Sequence, residues 1–529
     1  GTSALVINGD STNTGTIEQG TVTVASLITL ANEGSITVNS VLDNTGSIIG
    51  DGSLNINVTT TNEGIIEQNI LLTDNGITLT NSGDITVKDT LTNNGTIENN
   101  NDLTLSGTAM TNEGVITGTG TTNITGAVTN EGTISQTEVK ISVGAELVSD
   151  ASDITTTGGI TNDGTLELTG GNITSDILSA SGTTNITGEV TNNAAHSIAN
   201  AIDIENSAKL TTNANALLNT VNNDGTLELT GGTVTEDISG NGSLGFTDSI
   251  QNSANIEQGS MTVNSGKTLT NNSGASITTT DSALGEGFQN NGTVLNDGTI
   301  TVAGGNNTGS ITGGGTFANN GDFTNSNTIN QNAITNDGTL TTNSENLVAT
   351  SGITNNGTLV YNAGSKTVSD IIGDGSANSK VELRTNAPFV IDNTISNTYV
   401  DLYNSTLKFG NSGNISSATA LNINGGGINT IDGNISSTNL GTVNLNAQSN
   451  IEIDIDVSSL TSDSFNATVN NNGGIFNINE INLIGSATSE NIKVHLGDMT
   501  GLGQENVTSE TISLPSIMTP IRKINGSLK

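Results

Sequence analysis

The sequence predicts an all-β chain wound as an elongated, right-handed parallel β-helix with Asn/Gly corner turns. Three observations predict it. A short phrase (Asn, any residue, Gly, a small or polar residue, then Ile or Leu) recurs through most of the chain. The stretches between its copies alternate with period two, as half-buried strands do. Aromatic residues make up only 2% of the 529 and Trp is absent, so the chain lacks the bulk on which a large globular core leans.

The phrase comes first. It reads Asn13-Thr14-Gly15-Thr16-Ile17, Asn32-Glu33-Gly34-Ser35-Ile36 and Asn44-Thr45-Gly46-Ser47-Ile48, and returns at Asn62, Asn81, Asn93, Asn112 and Asn130. Its glycines, at 15, 34, 46, 64, 83, 95, 114 and 132, are separated by 19, 12, 18, 19, 12, 19 and 18 residues. That rhythm is a basic period of about 19 with shorter steps, or a compound one of about 31, and periods in this range mark solenoids. Each repeat of a solenoid buries its apolar face only by stacking on its neighbours. At about 19 to 20 residues per turn, about 24 to 26 turns are expected.

The strands lie between the phrases. Thr21-Val22-Thr23-Val24, Leu54-Asn55-Ile56-Asn57-Val58, Ile77-Thr78-Leu79-Thr80 and Leu103-Thr104-Leu105 all alternate. The phrase itself reads as a tight corner. Asn bonds its own neighbouring backbone, and Gly supplies positive φ without steric cost. Corner asparagines of successive turns can also stack as amide ladders, each side chain satisfying the next. The expected ladder residues are Asn32, Asn62, Asn81, Asn93, Asn112, Asn130, Asn162, Asn223, Asn336 and Asn355.

The rhythm loosens after Gly132, and degenerate copies put Ala in place of Gly at Ala208 and Ala254. The block Gly164-Thr165-Leu166-Glu167-Leu168-Thr169-Gly170-Gly171 recurs unchanged from Gly225 to Gly232. From residue 376 Phe389, Tyr399, Tyr403 and Phe409 appear. The chain is therefore divided into an Asn-x-Gly solenoid (1–375), a continued solenoid with a more aromatic, better packed end (376–480), and a C-terminal cap and linker (481–529).

Lys plus Arg number 12 and Asp plus Glu 51, a net charge of −39. Nucleic acid, which needs a basic stripe, is excluded as a partner, and docking on anionic lipid is disfavoured. Cysteine is absent, which removes disulfides, thiol nucleophiles and thiolate metal sites. No run of about 18 apolar residues exists, so no membrane insertion of this segment is expected. The start, Gly1-Thr2-Ser3, reads as a mature or cloned boundary.

The Asn-x-Gly-Thr-Ile repeats are followed by Thr406-Leu407-Lys408-Phe409, then Ile453-Asp454-Ile455-Asp456-Val457 and Ser462-Asp463-Ser464-Phe465. In this the chain resembles the passengers of bacterial autotransporters. The resemblance implies a β-helical passenger carried across the outer membrane by a β-barrel translocator in cis. It implies display on the bacterial cell surface, or secretion. The sequence departs from the family pattern in containing no series of amphipathic barrel strands, each about ten residues long. The implied partners are host surface or matrix molecules, or identical passengers. The function expected is adhesin-like attachment or self-aggregation through a long polar face. A surface-layer or spacer protein without a receptor is the alternative, and a glycan-active β-helix enzyme the third reading.

Catalysis finds little footing, and the chain is read as non-enzymatic. His196 and His495 are far apart and neither sits in a motif. Basic residues for a lyase and aromatic platforms for sugars are both scarce. No cofactor is expected. Ca²⁺ is the one candidate ion, on Glu452, Asp454 and Asp456, whose alternation puts three hard oxygen donors on one strand face. The glycine-rich nonapeptide of calcium-binding β-rolls is missing, so a solvated acidic face is the competing reading.

Overall fold

The computed structural model describes residues 2–484 apart from 283–285, 343–346, 364–368, 386–387, 411–412, 414, 416–419, 426–428, 434–436, 457 and 460, together with 499–501 and 507–509. Most of the expected cap and linker, 481–529, lies outside the described residues. Elsewhere parallel strands stack as a β-solenoid of about 22 turns. Two single-turn 3-10 helices, Ala151–Asp153 and Ala214–Ala216, interrupt them. The expectation of 24 to 26 turns fails because later turns are longer. Asn271 meets its counterpart Asn296 only 25 residues on, and Asn450 meets Asn477 after 27. The chain divides into two compact units, Gly1–Gln258 and Gly259–Lys529.

In the first unit each turn lays one short strand on each of three faces. Thr78–Asn81 pairs in register with Thr60–Asn62 before it and Thr96–Asn99 after it. The strand Asp84–Asn93 bends through a corner and serves the other two faces. Its first half pairs with Asp102–Leu105 and its second half with Ala109–Asn112. This geometry explains the mixed rhythm. A whole turn carries Asn62 to Asn81, 19 residues, whereas the step from Asn81 to Asn93 crosses two faces only. The repeated eight-residue block makes the same point. Leu166 leads on in register to Thr184, Ile202 and Val221, while Leu227 follows Val190 and Leu210 on a different face. In both copies the carbonyl of the first of two paired glycines accepts from a 3-10 helix one turn earlier, Ala151 to Gly170 and Ala214 to Gly231, each at 2.8 Å.

Alternation then sorts the side chains. Ile85, Val87, Leu91, Ile97, Leu103 and Leu105 point inward with at most 1% exposure, and the residues between them face out. Each such side chain contributes about 1.5–3 kcal/mol on burial. The second unit follows the same plan with larger residues. Phe288, Phe317, Phe323, Phe389, Phe465 and Phe476 are buried there, and Phe317 meets Phe323 edge to face at 5.1 Å. Aromatic packing thus begins well before residue 376. Parallel stacking continues past it, from Thr358–Tyr361 to Lys380–Leu383, Tyr399–Tyr403 and Ala420–Asn424. Among the described pairings one is antiparallel, the short hairpin with Ile455 opposite Ser462 and Asp456 opposite Thr461.

The glycine of the phrase has a different job from the one expected. None of Gly34, Gly64, Gly83, Gly114 or Gly132 has positive φ. A Cβ on any of them would instead lie 1.9–2.0 Å from the carbonyl oxygen of the glycine one turn earlier. That same carbonyl accepts the next turn's amide, as Val115 N donates to Gly95 O at 2.8 Å and Thr133 N to Gly114 O at 2.9 Å. The residue is glycine because two backbones touch. Positive φ belongs to a second type of corner, a β-turn closed by bonds such as Ala145 N to Ser142 O at 2.9 Å. Gly144 fills its third position with φ 79°. Leu27 occupies the equivalent place with φ 67°, and it is 96% exposed.

These two corners predict opposite outcomes in urea unfolding of the full chain. Gly114→Ala drives a methyl into backbone and costs about 3 kcal/mol or more. Leu27→Gly relieves a left-handed residue that buries nothing, and gains about 0.5–1 kcal/mol after the extra unfolded-state entropy of glycine.

Candidate functional site

The corner asparagines lie inside the solenoid, not on it. All ten expected ladder residues are at most 4% exposed. They belong to several separate ladders, because the phrase occurs at different corners. On one face Asn44 donates to Asn62, Asn62 to Asn81 and Asn81 to Asn99, at 2.7–2.8 Å. On another Asn93 donates to Asn112, Asn112 to Asn130 (both 2.6 Å) and Asn130 to Ser149 Oγ (2.9 Å). In the second unit Asn319, Asn336 and Asn355 form one ladder and Asn290, Asn307 and Asn325 another, at 2.7–2.8 Å. Every donor points toward the C-terminal turn. The leading oxygens, Oδ1 of Asn44 and of Asn93, have no partner among the described residues. Starting either of these two ladders leaves a buried acceptor unmet, whereas the leading oxygens of Asn290 and Asn319 accept from the amides of Gly292 and Gly321 at 3.1 and 3.4 Å.

Asn32, Asn223 and Asn296 show a device that sequence reasoning missed. The turn after each carries a glycine with positive φ at the ladder position: Gly50, Gly240 and Gly313. A Cβ there would lie 2.2–2.3 Å from the asparagine's carbonyl oxygen. The turn after that supplies a glutamine. Asn32 Nδ2 reaches Gln68 Oε1, Asn223 reaches Gln258 and Asn296 reaches Gln331, each at 2.6 Å. Asn99, Gly118 and Gln136 repeat the arrangement with a 2.9 Å bond. The extra methylene of Gln spans the empty level. A Gly-x-Gly triplet about 18 residues after the asparagine and a Gln about 18 further on are its signal in the sequence. Asn162 skips a level in another way, to Asn200 at 2.8 Å.

A second set of amides faces outward in the unit Gly259–Lys529. Asn470 donates to Asn444 and Asn444 to Asn422 (2.9 and 2.7 Å). Two residues along, Asn472 donates to Asn446 and Asn446 to Asn424 (2.7 and 3.1 Å). The result is a grid of six side-chain amides on one sheet face, with rows about 4.8 Å apart and columns about 7 Å apart. One column ends on Asp401, which accepts from Asn422 at 2.5 Å. A carboxylate can only accept, so Asn422 must donate toward the N-terminal turn and the rest of the column follows. Asp401 is 4% exposed. Its burial raises the carboxyl pKa above the usual range, opposed by the Asn422 hydrogen bond and by Lys380 and Arg384, and reinforced by Glu382.

The acids expected to hold calcium are distributed differently. Glu452 stands opposite Asp432 in register. Asp456 caps the hairpin turn, accepting from the amides of Ser458 at 2.8 Å and Ser459 at 3.3 Å. Asp454 alone joins a cluster, with Asp432 from the preceding turn and Asp463 from just beyond the returning strand of the hairpin. His196 is paired with Asp176 at 3.3 Å on the surface, and His495 lies outside the described residues. Two of the better-formed concavities are small and mostly aliphatic, one lined by Ala214, Leu217, Val221 and Val234, the other by Ile154, Ile160, Leu166 and Ile173. Comparison of the chain with protein-family models, curated proteins and solved structures found no match.

Two outcomes follow for stability. Gln68→Leu leaves an N–H of buried Asn32 without its acceptor and costs about 1–3 kcal/mol in urea unfolding. Asp401 binds its proton more tightly in the folded chain than at the usual aspartate value of 3.8. Its contribution is thus present below that value and lost as pH rises through the folded pKa. Asp401→Asn removes this loss, so its melting temperature exceeds that of the parent at pH 7 and the two converge at pH 4.

Proposed function

We propose that the chain is a passenger of autotransporter type, displayed on a bacterial surface or secreted, which attaches to host surface or matrix molecules or to identical passengers. The observation that carries this reading is the outward amide grid, Asn422, Asn424, Asn444, Asn446, Asn470 and Asn472. Asn422, Asn444 and Asn446 each spend one donor and one acceptor within their columns, which leaves each of them one N–H and one lone pair to offer outward. Flat, evenly spaced donor–acceptor pairs suit sugar hydroxyls and polar peptide edges. Single contacts of this kind are weak, and many copies on one cell add them by multivalency. In this reading a β-barrel translocator in cis carries the chain out, and nucleic acid is no partner. The buried ladders favour a second reading, a stiff spacer without a receptor.

Beads coated with the full chain decide between the two. Adhesion predicts clumping between beads or retention on host-cell matrix, reduced several-fold by Asn444→Lys with Asn446→Lys. Dispersed, unretained beads would favour the spacer.

A further inference from the structure

We propose that Asp432, Asp454 and Asp463 form a binding site for a hard divalent cation of the calcium class, which ties the hairpin following Ser449–Asp456 to the turn before it. One carboxylate oxygen from each of the three lies within 4.8 Å of the others. Calcium takes oxygen ligands at about 2.3–2.6 Å, so one ion can reach all three. The three come from separate places in the chain. Asp432 ends the strand Asn429–Asp432, Asp454 lies on the next strand of the same face, and Asp463 sits just beyond the antiparallel return.

Asp463 is the residue that points to a ligand. It is wholly buried, at 0% exposure. Its Oδ2 accepts the Asp454 amide at 2.8 Å, and its backbone amide donates to the Asp454 carbonyl at 2.9 Å. Its Oδ1 has no hydrogen-bond partner among the described residues. A buried carboxylate with a bare oxygen is costly unless a cation or proton meets it. Gly433 keeps the place open for it, since a Cβ there would lie 2.8 Å from Asp463 Cγ and 3.0 Å from Oδ2.

The surrounding charge favours a cation. Lys408 Nζ engages Asp432 at 2.5 Å and is the one base in the group among the described residues. Glu452, opposite Asp432, adds a fourth carboxylate. One ammonium cannot balance four acids. Burial, reinforced by the charges of Asp454 and Asp432 and opposed by the Asp454 amide, raises the Asp463 pKa to about 7. The donors are all oxygen, which selects calcium or a similar hard ion over zinc or copper. The site does not depend on the adhesive reading.

The test is calorimetric titration of the full, chelator-treated chain with calcium chloride at pH 7.5, alongside hydrogen exchange of peptides spanning 455–465. The parent is expected to bind calcium at this site and to gain protection in that segment. Asp463→Asn and Asp454→Asn each weaken the site about tenfold or more. Asp456→Asn, outside the cluster, leaves it unchanged. Equal binding by the parent and Asp463→Asn would overturn the proposal, since the heat would then belong to other surface acids. Should the cluster variants fail to fold, the parent alone decides. If calcium leaves exchange in 455–465 unaltered while acidification from pH 8 to 6 slows it, the cluster holds a proton and the cation site is refuted.

Discussion

Successive turns of this solenoid stack about 4.8 Å apart, and almost every other feature answers to that spacing. It is the distance at which one side-chain amide can donate to the same amide in the next turn, so a buried polar corner is satisfied by repetition. It also leaves no room for a Cβ where two corners touch, which is why Gly64, Gly83, Gly114 and Gly132 are glycines. Where a turn presents glycine instead of an amide, the ladder must cross two spacings, and Gln two turns on supplies the added length. Asn32–Gln68, Asn99–Gln136 and Asn223–Gln258 are the same solution reached three times in one unit.

Much of this was legible in the sequence, because a stacked fold writes its geometry as a period. The strand pattern, the inward aliphatics and the corner position of Asn81 or Asn112 follow from spacing and residue type. What spacing could not reveal is which corner a phrase occupies. Asn81 and Asn93 look like neighbours in one series, yet they top different faces, since the three faces accept the same residues. The role of the glycine was misjudged for a related reason. A glycine after Asn suggests a left-handed corner when read locally, and its true constraint comes from a chain segment one turn away. The amide grid was invisible as well. Neighbours in a column are 22 or 26 residues apart, and outward Asn is common in this composition.

The charged residues follow a different logic from the amides. Amides can stack on themselves without limit, each being donor and acceptor. A carboxylate only accepts, so an acid ends or redirects a column, as Asp401 does for Asn422. Where acids from different turns meet, no arrangement among themselves can satisfy them. Asp432 finds Lys408 and Asp463 finds the Asp454 amide, and the remainder of the charge calls for something from outside.

The interchangeability of the three faces in Gly1–Gln258 has a consequence for how such a chain can change. Removing one whole turn leaves every later strand on its own face. Removing a single face, about a third of a turn, moves each later strand on to the next face, still in contact with apolar neighbours of the same kind. The interior would hardly register the difference, while every outward side chain downstream would point about 120° away from its former direction. Small deletions and duplications can therefore act as an indexing mechanism, re-aiming an exposed surface without redesign of the core that carries it.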